Sequence, residues 1–500
     1  MKRLLLCVSM LAMLTACQPK SSEMYTEAAE YDQAYAPSPN TERYDGEAVS
    51  PIVRVADRPV STFAVDVDTG AYANVRRLLN DGMKPPADAV RTEELLNYFR
   101  YDYPLPVDKS KPFSITTNVT TTPWNPHSRL LRVGLRAYDV PRSERPAANL
   151  VFLIDVSGSM DEKDKLPLVQ HALRLVADDM RPRDRVSIVV YAGAAGIVLE
   201  PTSKPAEVRR ALDQLHAGGS TAGGEGIELA YATARAAYID GGINRVILAT
   251  DGDFNVGISD PEAIKDLVRR NKDDGITLTA LGFGTGNYNE ALMEGIADVG
   301  NGNYAYIDSA SEARKVLDDE LSSTLFTVAQ DVKIQVEFNP AQVSQYRLIG
   351  YENRTLAEED FNNDKVDAGD IGAGHQVTAI YEIIPAGNTG WTDERRYAEN
   401  ATPVPASNEL VWLKLRYKLP NGTDSRLIEQ AVPAQALREA RAAQGDMAFA
   451  VSVAAYGQIL RGDKYLGDFG LDDARRLAGG QNDFRRQEFL ELTKLAESAK

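Results

Sequence analysis

Asp155, Ser157 and Ser159 stand at alternate positions in the run Asp155-Val156-Ser157-Gly158-Ser159. In a tight loop that spacing turns three oxygen-bearing side chains toward one point. A second oxygen-rich stretch is Gly218-Gly219-Ser220-Thr221, where the glycines let the backbone fold inward. A third group is Asp251, in Ala249-Thr250-Asp251-Gly252. Carboxylates and hydroxyls without His or Cys suit a hard cation in an octahedral oxygen shell, so the ion expected here is Mg²⁺ or Mn²⁺, completed by water.

Other chemistry has little support. Asp360-Phe361-Asn362-Asn363-Asp364 carries oxygens at the first, third and fifth positions of a calcium loop. Its sixth position is Lys365 where Gly is needed, and its twelfth is Ile371 where Glu is needed, which leaves an ordinary polar loop. Gly282-Phe283-Gly284-Thr285-Gly286 lacks the last glycine of a dinucleotide fingerprint and reads as a turn between strand and helix. His127, His171, His216 and His375 are the only histidines, none with a partner at metal-binding spacing. There is no Gly-x-Ser-x-Gly elbow, His-Glu-x-x-His or phosphate-binding loop, so catalytic machinery is not visible and a non-enzymatic protein is expected.

The elements that must position the oxygens are legible from apolar runs. Leu150 to Ile154, Val186 to Tyr191, Val246 to Ala249 and Thr277 to Phe283 are unbroken and separated by stretches of helical period. Strands buried on both faces read this way, and their alternation with helices marks a parallel sheet. An α/β fold follows, doubly wound with a mainly parallel sheet, over residues 149–326. Helices are expected over 164–180, 205–215, 223–238, 261–274, 289–299 and 311–325. Asp155 and Asp251 then cap two core strands, and a ligand belongs beyond the carboxyl ends of such strands where their order reverses. Residues 59–148 read as a lead-in of short helices and strands. Residues 327–433 alternate apolar and polar like the strands of a β-sandwich, which the strands near 113–138 would complete. Residues 434–500 have helical period.

Asp-x-Ser-x-Ser, a distant Thr in a Gly-rich turn and a later Asp-Gly together resemble the metal ion-dependent adhesion site of von Willebrand factor type A domains, which are Rossmann-like. All five positions match. The resemblance implies direct metal contacts from Ser157, Ser159 and Thr221, with Asp155 and Asp251 holding coordinated water or reaching the metal. It also implies one coordination position for a carboxylate of a partner protein. The wider chain is similar to bacterial type A lipoproteins with a lead-in segment and a C-terminal extension, a group with no firmly assigned activity. It is more distantly similar to the heavy chains of inter-alpha-trypsin inhibitor.

The amino terminus bears on location. Met1-Lys2-Arg3 precedes an apolar run from Leu4 to Ala16, which as a helix spans about 20 Å against roughly 30 Å of bilayer core, so residues 1–16 read as a signal peptide. Leu14-Thr15-Ala16-Cys17 resembles the lipobox of bacterial lipoproteins, which implies acylation of Cys17, palmitate included. Residues 17–58 have no sustained apolar period and are expected to form a flexible tether. Gln18 is not the Asp that commonly retains lipoproteins at the inner membrane, which favours the periplasmic leaflet of the outer membrane. The only two cysteines are Cys7 and Cys17, so the body has no disulfide. A net charge of −17 becomes −19 once Lys2 and Arg3 are removed, which argues against nucleic acid as a partner. The expected protein is a lipid-anchored module of the cell envelope that binds a divalent metal and docks a protein presenting an Asp or Glu. The alternatives are a metal-dependent assembly factor or chaperone for an envelope complex and, needing machinery the sequence does not display, an envelope hydrolase.

Overall fold

A computed structural model describes residues 42–107, 111–218, 223–252, 260–286, 288–320, 323, 325–393, 408–420 and 422–500. The signal peptide, Cys17, the first part of the tether, and Gly219, Ser220 and Thr221 lie outside the described residues.

The strands in chain order are β1 (Val53–Arg54), β2 (Val60–Ala64), β3 (Phe113–Thr121), β4 (Arg129–Ala137), β5 (Ala148–Asp155), β6 (Arg185–Tyr191), β7 (Ala195–Thr202), β8 (Ile243–Thr250), β9 (Thr277–Phe283) and β10 (Tyr304–Ile307). They continue with β11 (Thr327–Phe338), β12 (Val343–Ile349), β13 (Thr355–Leu356), β14 (Ile371–Gly372), β15 (Gln376–Pro385), β16 (Glu409–Lys418) and β17 (Ser425–Pro433). The central sheet runs β10-β9-β8-β5-β6-β7 and is parallel except for β7, which pairs antiparallel with β6. That edge strand was not expected. Its residues are mostly half-buried or exposed, so it lacks the continuous apolar run of its neighbours.

Successive residues of β5 point to opposite faces. Leu150, Phe152 and Ile154 join a core with Val169, Leu173, Val208 and Leu212 of the helices α3 (Leu166–Asp179) and α4 (Pro205–Asp213). Val151 and Leu153 join a second core with Ile227, Tyr231, Ile264 and Ile296 of α5 (Gly223–Ala236), α6 (Pro261–Asp273) and α7 (Glu290–Val299). Both faces are covered, as the unbroken apolar runs require. Of the expected helices, the one over 311–325 differs most: a short α-helix at Ala310–Arg314 passes into a π-helical turn at Lys315–Asp319.

Two antiparallel sheets make the sandwich, β1-β12-β15-β4-β3 and β13-β2-β11-β16-β17, with β14 on β11. The lead-in over 59–148 is therefore not a separate unit from 327–433. β2 lies beside β11, and β4 lies between β3 and β15, because a half-buried strand needs partners that one segment cannot supply. The parallel-sheet domain is inserted between the two halves of the sandwich. Phe338 stacks on Tyr346 at 4.1 Å and meets Tyr381 edge-on at 5.3 Å between the sheets.

The helices α1 (Gly70–Asn80) and α2 (Thr92–Asn97) pack with C-terminal helices at Gly445–Leu460 and Phe484–Ser498 in a third core containing Tyr72, Leu95, Phe99, Phe449 and Phe489. Gly457 permits this approach, since a Cβ there would come within 2.8 Å of the Thr92 hydroxyl. The tether expected over 17–58 ends earlier than its composition suggests. Val55 is buried, the Ser50 amide donates to Glu352 at 3.2 Å, and the Glu42 carboxylate accepts the Gly286 amide at 3.0 Å. These are long-range contacts of a segment that has no periodicity of its own.

Candidate metal site

β5 lies between β8 and β6, and the chain leaves it in opposite directions on the two sides. Strand order thus reverses at the β5/β8 boundary, the place expected for a ligand. Asp155 is the last residue of β5 and Asp251 follows β8 directly. Both are fully buried.

Asp155 organises its own loop. One carboxylate oxygen accepts the Ser157 amide at 2.8 Å and the other accepts the Thr250 hydroxyl at 3.3 Å. The turn brings the Ser157 and Ser159 hydroxyls to 3.1 Å of each other, and buried Met160 anchors the turn of 3₁₀-helix that follows. The Gly218 amide donates to the Val156 carbonyl at 2.8 Å, so the stretch that leads to Thr221 begins against the Asp155 loop. After Asp251 the chain turns at Gly252, whose φ is +92°; a Cβ there would lie 2.7 Å from the Asn289 amide nitrogen. Only glycine meets both conditions.

Burial pushes the Asp155 carboxyl up to about 6. Hydrogen bonds from Ser157 and Tyr191 work against burial, and the charge of Asp251 adds to it. Holding two carboxylates out of water this close together costs free energy unless positive charge offsets it. The residues present fit a hard divalent ion: the loop after β5 carries Asp155 with the Ser157 and Ser159 hydroxyls, the charge of Asp251 acts on Asp155 across the β5/β8 boundary, and every candidate donor is oxygen.

Two features were missed by sequence reasoning. Lys165 is buried, and its ammonium donates to Asp251 at 3.1 Å. A Lys ten residues after an Asp gives no local signal of this, because the contact depends on the return of the chain at β8. The second is a buried charge cluster where the lead-in, the α/β domain and the sandwich meet. Carboxylate oxygens of Asp66, Glu94 and Glu294 lie within 4.8 Å of one another. Arginines fill this cluster: Arg91 reaches Glu294 at 2.8 Å, and Arg354 reaches Asp66 at 3.1 Å and Glu294 at 2.9 Å. The Asp360–Asp364 loop is likewise satisfied by protein, with the Lys333 ammonium donating to the Asp360 and Asn363 carbonyls at 3.0 and 2.7 Å.

The inserted domain over residues 149–320 matches the von Willebrand factor type A domain model, and residues 38–132 match a von Willebrand factor model. The fold and the match define a protein built around a type A domain. Residues 323–499 match the model described as Uncharacterized protein YfbK, C-terminal. A protein of Escherichia coli strain K12 described as Uncharacterized protein YfbK is 46% identical over 487 residues, 95% of this chain and 84% of that one. The chain belongs to the YfbK family. Protein sll0103 of Synechocystis is 32% identical over 187 residues, 37% of this chain and 43% of that one. Among solved structures, a von Willebrand factor type A protein from Catenulispora acidiphila aligns with 77% of this chain and 89% of its own at 18% identity, with a TM-score of 0.41.

Proposed function

We propose that the type A domain is a non-enzymatic, metal-dependent docking module that holds Mg²⁺ or Mn²⁺ and takes up a carboxylate of an envelope protein. The observation that carries this reading is the meeting of Asp155, Ser157 and Ser159 in one loop beside the buried Asp251, at the point where strand order reverses. Asp155 and Asp251 would supply the charge, and Ser157, Ser159 and Thr221 the neutral oxygens. A bound ion there would supply a hard Lewis-acid centre able to accept an anionic oxygen from another protein. The chain's part is to keep the donors rigid: the Ser157 amide bond to Asp155 and the buried Met160 fix the loop whether or not an ion is present.

Location is part of the same proposal. Acylation at Cys17 would anchor the protein at the periplasmic leaflet of the outer membrane. Among the described residues no helix is long and apolar enough to cross a membrane. Since the chain is strongly acidic, the partner suits a neutral or basic surface with one exposed Asp or Glu at the contact. Crosslinking pulldown from cells in Mg²⁺ and in chelator tests this. Recovery of a partner only with the metal, and its loss with Asp155→Ala, is the expected result; equal recovery in chelator would remove the metal site from the docking surface.

A further inference from the structure

Lys165 lies between the Asp155 loop and α3, as the residue before Leu166. It is 4% exposed, which is rare for a lysine without a built partner. Its partner is Asp251, at 3.1 Å and itself fully buried. Its stem is held as firmly as its head. Gly284, with φ +71°, follows β9, and a Cβ at that glycine would sit 2.4 Å from both Cγ and Cε of Lys165. Three segments distant in sequence thus converge on one side chain: the turn after β9 makes room for the stem, the turn after β8 receives the charge, and the start of α3 supplies both.

We propose that Lys165 is a resident counter-cation of the Asp155–Asp251 site, which weakens the hold of the site on a divalent ion and leaves the loaded site positive. This rests on the metal-dependent reading above. Two carboxylates alone would be neutral with a divalent ion bound. With the ammonium at hand, the same donors carry a net charge of −1 before the ion arrives and +1 after it. An ammonium already 3.1 Å from Asp251 opposes a cation drawn to the same carboxylate, and in a buried setting water screens the repulsion poorly. The excess positive charge then favours an anionic oxygen from outside. Lys165 would thus exchange affinity for the metal for affinity for the partner's carboxylate, and would neutralise Asp251 while no ion is bound. It is a positioning and tuning residue, with no role as a metal ligand.

Titration calorimetry of residues 18–500, which lack the acylation site, with MgCl₂ or MnCl₂ alone tests this, comparing the wild type with Lys165→Met. Methionine preserves most of the stem over Gly284 and removes the charge. The expected result is about tenfold or tighter metal binding by the variant, where each tenfold corresponds to 1.4 kcal/mol. Equal or weaker binding by the variant, with a wild type that binds, would overturn the role of Lys165 and leave the metal site standing. Binding by the variant alone would overturn the metal-dependent reading of the wild type and with it the tuning role, leaving Lys165 as the permanent occupant of the site. Binding by neither would overturn both. Should Lys165→Met be unfolded in chelator, its circular dichroism with added Mg²⁺ or Mn²⁺ decides: refolding supports replacement of the ammonium by the ion, and failure to refold with either ion makes Lys165 structural and overturns the proposal.

Discussion

At the scale of residues, the loop after β5 is held by Asp155 itself, whose carboxylate accepts the Ser157 amide at 2.8 Å and the Thr250 hydroxyl at 3.3 Å, and the spacing of Asp155, Ser157 and Ser159 that builds it is a local property of the chain. Lys165 was not legible, since its partner Asp251 and its support Gly284 come from other ends of the sheet. The serine hydroxyls contact each other at 3.1 Å, and replacing both by Ala removes donors while keeping the Ser157 amide bond to Asp155. Ser157→Ala with Ser159→Ala is therefore expected to change the Tm in chelator by no more than the equivalent of about 1 kcal/mol. The same pair should abolish the rise in Tm that Mg²⁺ produces in the wild type, where tenfold saturation above Kd is worth about 1.4 kcal/mol. Differential scanning fluorimetry with and without EDTA checks both halves.

At the scale of elements, apolar runs marked the buried strands well, and β7 escaped because it is an edge strand with little burial. The junction cluster escaped for another reason. Asp66, Glu93 and Glu94 carry no local mark of burial in the sequence, and the packing of α7 and Arg354 against the lead-in helps take them out of water. Burial pushes the Glu290 carboxyl up to about 8 in spite of Arg91, and pushes Glu93 up to about 7, helped by the charges of Glu352 and Asp66. A carboxyl whose folded value lies above its unfolded value of about 4.5 binds more protons in the folded state over that interval. Its stabilisation is present at low pH and is lost as pH rises through 7 to 8. The Tm should accordingly fall by roughly 2–4 °C or more between pH 6 and pH 9. Glu290→Gln, which cannot ionise, should flatten that slope; an unchanged slope in the variant would move the effect to other groups.

At the scale of the whole molecule, the change from unbroken apolar runs to alternation and then to helical period marks the α/β block, the β-rich region and the helical region in the sequence. What this pattern could not show is that the sandwich and the helical layer are each made from both ends of the chain, because strand pairing and helix packing between segments so distant in sequence leave no local trace. The C-terminal helices contribute Phe449, Tyr456, Phe489 and Leu492, all buried, to the core that covers Tyr72 and Phe99. Burying four such side chains is worth about 1.5–3 kcal/mol each, together comparable to the typical 5–15 kcal/mol stability of a domain. A chain that ends at residue 443 is expected to be insoluble or to lack a cooperative transition by circular dichroism. Soluble, cooperative unfolding of that truncation would show that the helical layer is dispensable. Anchoring is tested at the same scale: Cys17→Ala should leave the outer-membrane fraction, and firm association after a salt wash would place the anchor elsewhere.

The central claim is that the oxygens gathered at the end of β5 and β8 hold a divalent ion, and calorimetric titration of MgCl₂ and MnCl₂ into the wild type and Asp155→Ala measures it directly. One saturable site in the wild type and none in a folded Asp155→Ala variant is the predicted result. A wild type indifferent to both ions, or a variant that binds as well as the wild type, would contradict it.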